Sequence, residues 1–478
     1  MTDVQDSSWD RDALRARFCL ALSDMYKQEV PLYADLIEIV NEVDNKVVSD
    51  RLAHLNGASS SLAETPYELP PRHRVERHGA IRLGTPYELN TIRRLFAIFG
   101  MYPVGYYDLT VVGFPLHATA FRPVETAALD KHPFRVFTTL LRQDLLSEEI
   151  QNLVGNILPR RKLFTDRLVE LIEAAESNHA FTGTETDELL SEALKIFKWH
   201  SAATVTIDEY NRLKAEHPIV ADIASFPSAH INHLTPRTLD IDLVQTTMIE
   251  RGIPSKERIE GPPPRSCEIL LRQTSFKALE ERVRFYSDQQ KSWIDGSHTA
   301  RFGEIEQRGA AVTRKGRELY DKLLSEAYRQ AQNNPDGFEG ALRNSFQNYP
   351  DNWIQLQSEG LIFVRYKLTS RGHEQQGHTG DSHKSSSSVS ELMGDRLLTF
   401  DPITYEDFLP VSAAGIFTSN LKKDTRETAM RQGKPDRNGF ERSLGITVAD
   451  EFMLYEEMER NSLEECRIAL GLEVITRD

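Results

Sequence analysis

The sequence predicts an α+β fold: paired β-α-β-β-β modules form a curved mixed sheet around a metal site, with substantial helical segments around them. Three observations point there. The pattern His78-Gly79-Ala80-Ile81-Arg82 returns as His233-Leu234-Thr235-Pro236-Arg237, H-x-x-x-R in both places. Both copies lie in strand-like segments and lead into the same order, a helix and then further strands. A third strand-like run, Arg301 to Arg308, carries Glu304 and Glu306 on one face, because side chains two apart on a strand point the same way.

Along the chain, residues 9–28 have the spacing of an amphipathic helix, with Leu14, Phe18, Leu20, Ala21 and Met25 falling at mixed spacings along it. A second helix is predicted over Leu32–Val43 and a Ser- and Pro-containing connection over Ala58–Pro71. Arg77–Gly84 is predicted to be a strand and Tyr87–Phe99 a helix stopped at Gly100. Tyr102–Tyr107, Leu109–Gly113 and Leu116–Arg122 are rich in β-branched and aromatic residues and predict strands. Gly105 and Gly113 mark bends. The pattern turns helical from 138 to 215. It returns to a strand near Ile231–Leu234, a helix over Leu239–Arg251, strands at Cys267–Ser275 and Ala300–Gln307, and a helix over Arg314–Gln332.

Ser370–Ser390 is polar, with Ser385 to Ser388 consecutive and His373, His378 and His383 five apart, a spacing that fits no single helix or strand face. It predicts a solvated flexible loop. A helix over Asp450–Leu470 follows. We therefore expect one catalytic unit over 1–478. It comprises an N-terminal helical segment (1–57), a first sheet module (72–125), a helical insertion (138–215) and a second sheet module (225–310). C-terminal helices and a pocket-closing segment complete it (311–478, with the loop at 370–390).

Composition narrows the function. The 478 residues are 40% hydrophobic and carry 22 Phe, 15 Tyr and 4 Trp, enough for a large core. A net charge of -15 makes nucleic acid and anionic membranes poor partners. Cys19, Cys267 and Cys466 are too scattered for a zinc motif or a disulfide framework. Without a signal-like N-terminus or an apolar run of the roughly 20 residues a membrane helix needs, the expected location is the cytoplasm.

The chemistry lies in the repeat. Two first strands brought side by side make neighbours of His78 and His233, although 155 positions separate them. His78 and Arg82, four apart on one strand, would line one cavity: an imidazole for a metal and a guanidinium for a carboxylate. Pro236 cannot donate to a ladder, which puts the second strand at an edge or ends it early and makes Arg237 a weaker candidate. His230 rivals His233 but lies on the opposite strand face, and the repeat favours His233. One carboxylate from the third strand beside two imidazoles makes a facial triad that leaves positions open for substrate and dioxygen. A single histidine in a strand is more often a hydrogen-bonded core or surface residue than a ligand, and strand aromatics such as Tyr102, Tyr106 and Tyr107 are more often core than pocket wall.

These residues are similar to the vicinal oxygen chelate superfamily. Phe302-Gly303-Glu304-Ile305-Glu306-Gln307-Arg308 is similar to the F-F-E-I-x-Q-R signature of 4-hydroxyphenylpyruvate dioxygenases, which sets the metal-binding carboxylate on Glu304 rather than Glu306. Gly303 stands where that signature has Phe, and would open the pocket. The whole chain more closely resembles the 2-oxoadipate dioxygenase/decarboxylase family of bacterial lysine breakdown. The most specific runs are R-H-G-A-I-R-L-G-T (77–85), H-I-N-H-L-T-P-R (230–237), F-G-E-I-E-Q-R-G (302–309) and F-L-P-V-S-A-A-G-I-F (408–417). The resemblance implies Fe(II) on His78, His233 and Glu304, Arg82 on the remote carboxylate of the substrate, and Val411 and Ser412 against the substrate. It further implies conversion of 2-oxoadipate and dioxygen to 2-hydroxyglutarate and carbon dioxide. The competing reading is a non-oxidative metal-dependent isomerase or lyase on the same scaffold. The oligomeric state is not written in the sequence.

Overall fold

Strand β1 (Glu76–Leu83) organises the larger part of the computed structural model. The described residues are 10–57, 76–331, 337–374, 386–409 and 433–477. Ile81 and Leu83 of β1 enter the main core, while His78 and Arg82 occupy the other face. The chain then turns into a helix over Pro86–Ile98. Thr85 caps it, with Pro86 in the first turn and Glu88 closing a capping box. Leu89, Ile92, Leu95 and Phe96 of that helix join the same core.

Three more strands complete the first module: β2 (Tyr102–Asp108), β3 (Leu116–Arg122) and β4 (Arg135–Leu141). β4 pairs parallel with β1, and β2, β3 and β4 pair antiparallel in turn. Two expectations are corrected here. Leu109–Val112 is a 3-10 turn, not a strand: the Asp108 side chain accepts from Thr110 N, and Gly113 ends the turn at φ 88. The module also runs on to Leu141, past both the boundary at 125 and the start of helical character at 138. Every residue of β4 is buried, and a strand buried on both faces lacks the alternation that separates it from a helix. Helices over Glu148–Ile157, Asp166–Glu176, Gly183–Phe197 and Ile207–Glu216 fill most of the expected insertion, interrupted by strand β5 (Ala202–Thr206).

β6 (His233–Pro236) lies antiparallel to β1 as the edge of a five-stranded sheet of order β2-β3-β4-β1-β6, the position expected of a strand carrying Pro236. Ala80 faces His233 and His78 faces Thr235. The register slips between Glu76 and His78, making Arg77 the extra residue of a bulge. A Cβ on Gly79 would come 2.7 Å from Ile231 Cδ1 and 3.0 Å from Leu234 Cδ2, so its absence lets the two modules' first strands close up. After a helix over Ile241–Glu250 come β7 (Leu271–Ser275), β8 (Glu280–Ser287), β9 (Ser292–Thr299) and β10 (Glu304–Arg308). β10 pairs with β7, and Arg237 bridges Glu306 in parallel, as β1 and β4 do in the first module. β8 and β9 form a separate three-stranded sheet with β5.

The N-terminal helices Arg11–Glu29 and Pro31–Gly57 lay Leu14, Phe18, Leu22, Leu36 and Ile39 on this core. Tyr26 OH donates to Phe302 O at 2.7 Å, tying the first helix to the chain just before β10. The second helix runs on well beyond Val43, and the connection expected at 58–71 lies outside the described residues.

By contact the chain divides into two units. The first takes Met1–Glu260, Gln273–Gln307 and Phe408–Val448; the second takes Gly261–Arg272, Arg308–Asp407 and Ala449–Asp478. The second unit contains helices over Arg314–Ala331, Phe338–Phe346, Trp353–Ser358 and Glu451–Ala469, with β11 (Val364–Leu368) antiparallel to β13 (Leu398–Pro402). Of the loop expected at 370–390, Ser370–Glu374 is a short helix. Ser386–Ser388 forms β12, parallel to β14 (Val474–Thr476). His378 and His383 lie outside the described residues. Among the described residues no helix is long and apolar enough to cross a membrane, and all three cysteines are buried free thiols.

Candidate metal centre

His78, His233 and Glu304 come from β1, β6 and β10, and their ligand atoms all lie within 4.8 Å of one another in the buried interior of the first unit. Antiparallel pairing of β1 with β6 brings the two rings to a centroid distance of 5.4 Å, edge to face. Glu304 reaches between them. Its Oε1 lies 3.2 Å from His78 Nε2 and its Oε2 3.7 Å from His233 Nε2.

Each ligand is held from behind. His78 Nδ1 lies 2.9 Å from Glu306 Oε2, and the Phe408 ring packs against its ring at 4.8 Å. His233 lies against Phe302, 4.7 Å away and tilted by 30°. Gln273 Nε2 donates to Glu304 Oε1. Thr235 Oγ1 lies 3.2 Å from His78 Nε2.

The electrostatics are those of a site built for a cation. Burial alone would lower the pKa of His78, but hydrogen bonds to Glu304 and Glu306 outweigh it and hold the ring above its usual value. His233 is pushed far below it, first by burial and then by the charges of His78, Arg82 and Lys256. Burial likewise raises the Glu260 carboxyl to about 7, although Lys256 Nζ lies only 3.3 Å away and opposes the rise. Glu304 Oε2 and His233 Nδ1 are buried without a hydrogen bond. Two imidazole Nε2 atoms and a carboxylate, converging in a dry site, fit a divalent metal by number, donor type and spacing.

The other predicted residues divide. Arg82 is buried four residues along β1, with Nη1 2.5 Å from Asp222 Oδ2. Asp222 also takes His230 Nε2 at 3.1 Å and His298 Nε2 at 2.8 Å. Burial alone would raise the Asp222 carboxyl, but these contacts outweigh it and hold the group well below the usual range. His230 thus belongs to an acid–base cluster around Arg82 and is no metal ligand. Val411 and Ser412 lie outside the described residues. Tyr102 OH accepts from Arg11 Nη1, Tyr106 OH from Asp436 N and Tyr107 OH from Phe408 N. Gly303 opens no pocket: a Cβ there would sit 2.4 Å from Phe276 Cε1 and 2.9 Å from Leu36 Cδ2. The space of the missing Phe is filled by side chains from elsewhere. Sequence reasoning missed Gln273 and Asp222, which have no local signature. Glu306 was visible only as the companion of Glu304.

The family model of the 2-oxoadipate dioxygenase/decarboxylase matches residues 18–420. The chain belongs to this family. It is 48% identical over 458 residues to the 2-oxoadipate dioxygenase/decarboxylase of Escherichia coli (strain K12), covering 95% of this chain and 98% of that one. The relative of the same name from Pseudomonas putida is 46% identical over 470 residues, 96% of this chain and 97% of that one. The fold superimposes with a TM-score of 0.84 on the crystal structure of the hydroxyglutarate synthase of Pseudomonas putida in complex with 2-oxoadipate. That match has 43% identity and covers 98% of this chain and all of that one. In this family member the paired-module scaffold and a buried cluster of two histidines and one glutamate occur together.

Proposed function

We propose that this chain is an Fe(II)-dependent dioxygenase that decarboxylates 2-oxoadipate, giving 2-hydroxyglutarate and carbon dioxide in the cytoplasm. The observation that carries the reading is the buried set of His78, His233 and Glu304 in a member of this family. Three protein ligands on one face suit a metal that must also accept the substrate and dioxygen. The reaction balances without an external reductant. One oxygen atom enters the new carboxylate, the other becomes the hydroxyl, and the first carboxylate leaves as carbon dioxide.

The protein's share is orientation, charge and dryness. Fe(II), when bound, supplies the open positions and the electron chemistry that join dioxygen to a 2-oxo acid. Arg82 takes the remote carboxylate of the six-carbon diacid, so that the 2-oxo acid end faces the metal ligands. Asp222, braced by His230 and His298, fixes the guanidinium for that task. By resemblance to the family, Val411 and Ser412 would contact the substrate. Phe302 and Phe408 pack against the two ligand imidazoles and shield them from water.

The test is oxygen uptake by anaerobically Fe(II)-loaded protein given 2-oxoadipate, with products read by mass spectrometry. The expected result is one dioxygen consumed per carbon dioxide and per 2-hydroxyglutarate formed. Iron-loaded protein that consumes no oxygen with 2-oxoadipate or other 2-oxo diacids would rule the reading out.

A further inference from the structure

We propose that Glu306 is a positioning residue: braced by Arg77, it fixes the proton of His78 on Nδ1 and so leaves Nε2 as the nitrogen that faces the metal. The inference rests on the reading that His78, His233 and Glu304 hold a metal.

The geometry starts from strand spacing. Glu304 and Glu306 are two residues apart on β10, roughly 6.7 Å at the usual rise of a strand, and their side chains emerge on one face. That separation matches an imidazole ring taken edge to edge with a hydrogen bond on either side. The His78 ring is seated so, with Glu304 Oε1 3.2 Å from Nε2 and Glu306 Oε2 2.9 Å from Nδ1. Of the two contacts, the one to Glu306 is shorter. An ionised carboxylate only accepts hydrogen bonds, so Nδ1 carries a proton toward Glu306, and Nε2, beside Glu304 and His233, is the nitrogen left to give up its proton to a metal. A neutral imidazole ligates a metal through its lone pair, and a carboxylate on the opposite nitrogen orients the ring and makes it more basic.

The bulge in β1 supplies the brace. Regular alternation would send Arg77 and His78 to opposite faces. The register slip between Glu76 and His78 makes Arg77 the extra residue, a device that re-aims side chains beside functional sites. Arg77 Nε lies 3.5 Å from Glu306 Oε1, and both side chains are fully buried. One oxygen of Glu306 faces the guanidinium and the other faces His78. The two ligand histidines are therefore held differently: His78 by a carboxylate, His233 by packing against Phe302.

A bland role for Glu306, neutralising a buried arginine, makes a different prediction, because it would affect folding and not the metal. The isosteric Glu306→Gln keeps the volume while removing the charge. We would titrate full-length metal-free protein with Mn(II), reading free Mn(II) by electron paramagnetic resonance, and record melting of the metal-free forms in parallel. The expected result is a roughly 10–100-fold rise in the Mn(II) dissociation constant for Glu306→Gln, at a temperature where both metal-free proteins are folded. Adding Glu306→Gln to His78→Ala should produce no further loss, since the effect passes through His78. A Mn(II) affinity of Glu306→Gln within twofold of the parent overturns the positioning role alone. A parent that binds no Mn(II) overturns the ligand triad and this proposal with it. Should Glu306→Gln fail to fold, Arg77→Lys serves, with a smaller loss of Mn(II) affinity expected and an unchanged affinity counting against the brace.

Discussion

A guanidinium sealed in an apolar interior needs a counter-charge, and Arg82 has one in Asp222, itself clasped by His230 and His298. This arrangement gives the arginine two tasks that experiment can separate. Removing it leaves Asp222 buried without its cation, which costs stability, and removes the proposed anchor for the substrate's far carboxylate. Losing one partner of a desolvated charge pair costs about 2–5 kcal/mol, at least about thirtyfold in affinity. Arg82→Ala should therefore raise the KM for 2-oxoadipate by that factor or more while its iron content stays at the parent's level. The double variant Arg82→Ala, Asp222→Asn should regain thermal stability without regaining substrate affinity. An unchanged KM in Arg82→Ala would remove Arg82 from substrate recognition. At this scale the sequence could nominate His78, His233, Glu304 and Arg82 because a repeat or a local run singled them out. It could not nominate Asp222 or Gln273. Asp222 lies near the end of the helix over Pro218–Ala224 and Gln273 in the middle of β7, and only tertiary packing brings them to the site.

Among elements, β10 is the most constrained piece of the site. Glu304 opens it, and the preceding residue, Gly303, has Phe276 and Leu36 where a side chain would begin. The Phe276 ring is fully buried and cannot yield cheaply in a close-packed interior. Gly303→Ala should cost about 1–3 kcal/mol of stability, the usual range for overpacking, and should weaken metal binding by displacing the start of β10. Melting and a metal titration of the variant check both effects; a melting temperature and affinity equal to the parent's would show that the ring moves freely. Elements were legible where local residues marked their ends. The helix over Pro86–Ile98 announces itself through Thr85, Pro86 and Glu88. β4 carries no such mark at its ends, and its seven buried residues lack the alternation that separates a strand from a helix. The turn at Leu109–Val112 was hidden by β-branched residues whose conformation is set by the Asp108 cap and Gly113.

For the molecule as a whole, the duplicated H-x-x-x-R pattern carries most of the fold. The β-α-β-β-β module of β1 to β4 and a second half that repeats its opening strand and helix, joined through β1 and β6, make a site that neither could make alone, because one brings His78 and the other His233 and Glu304. The sequence showed the repeat but not the register that joins the two strands. That register depends on Gly79 admitting Ile231 and Leu234 and on the bulge at Arg77. The division of the chain into two units was not visible either, because each unit gathers segments that are far apart in the sequence.

The most direct measurement of the central claim is anaerobic titration of metal-free parent, His78→Ala, His233→Ala and Glu304→Ala with Fe(II), with bound iron determined after desalting. One equivalent retained by the parent, and each variant falling to a small fraction of it while remaining folded, is the result predicted by a single centre shared between the two modules. Full iron content in any one of the three folded variants would contradict it.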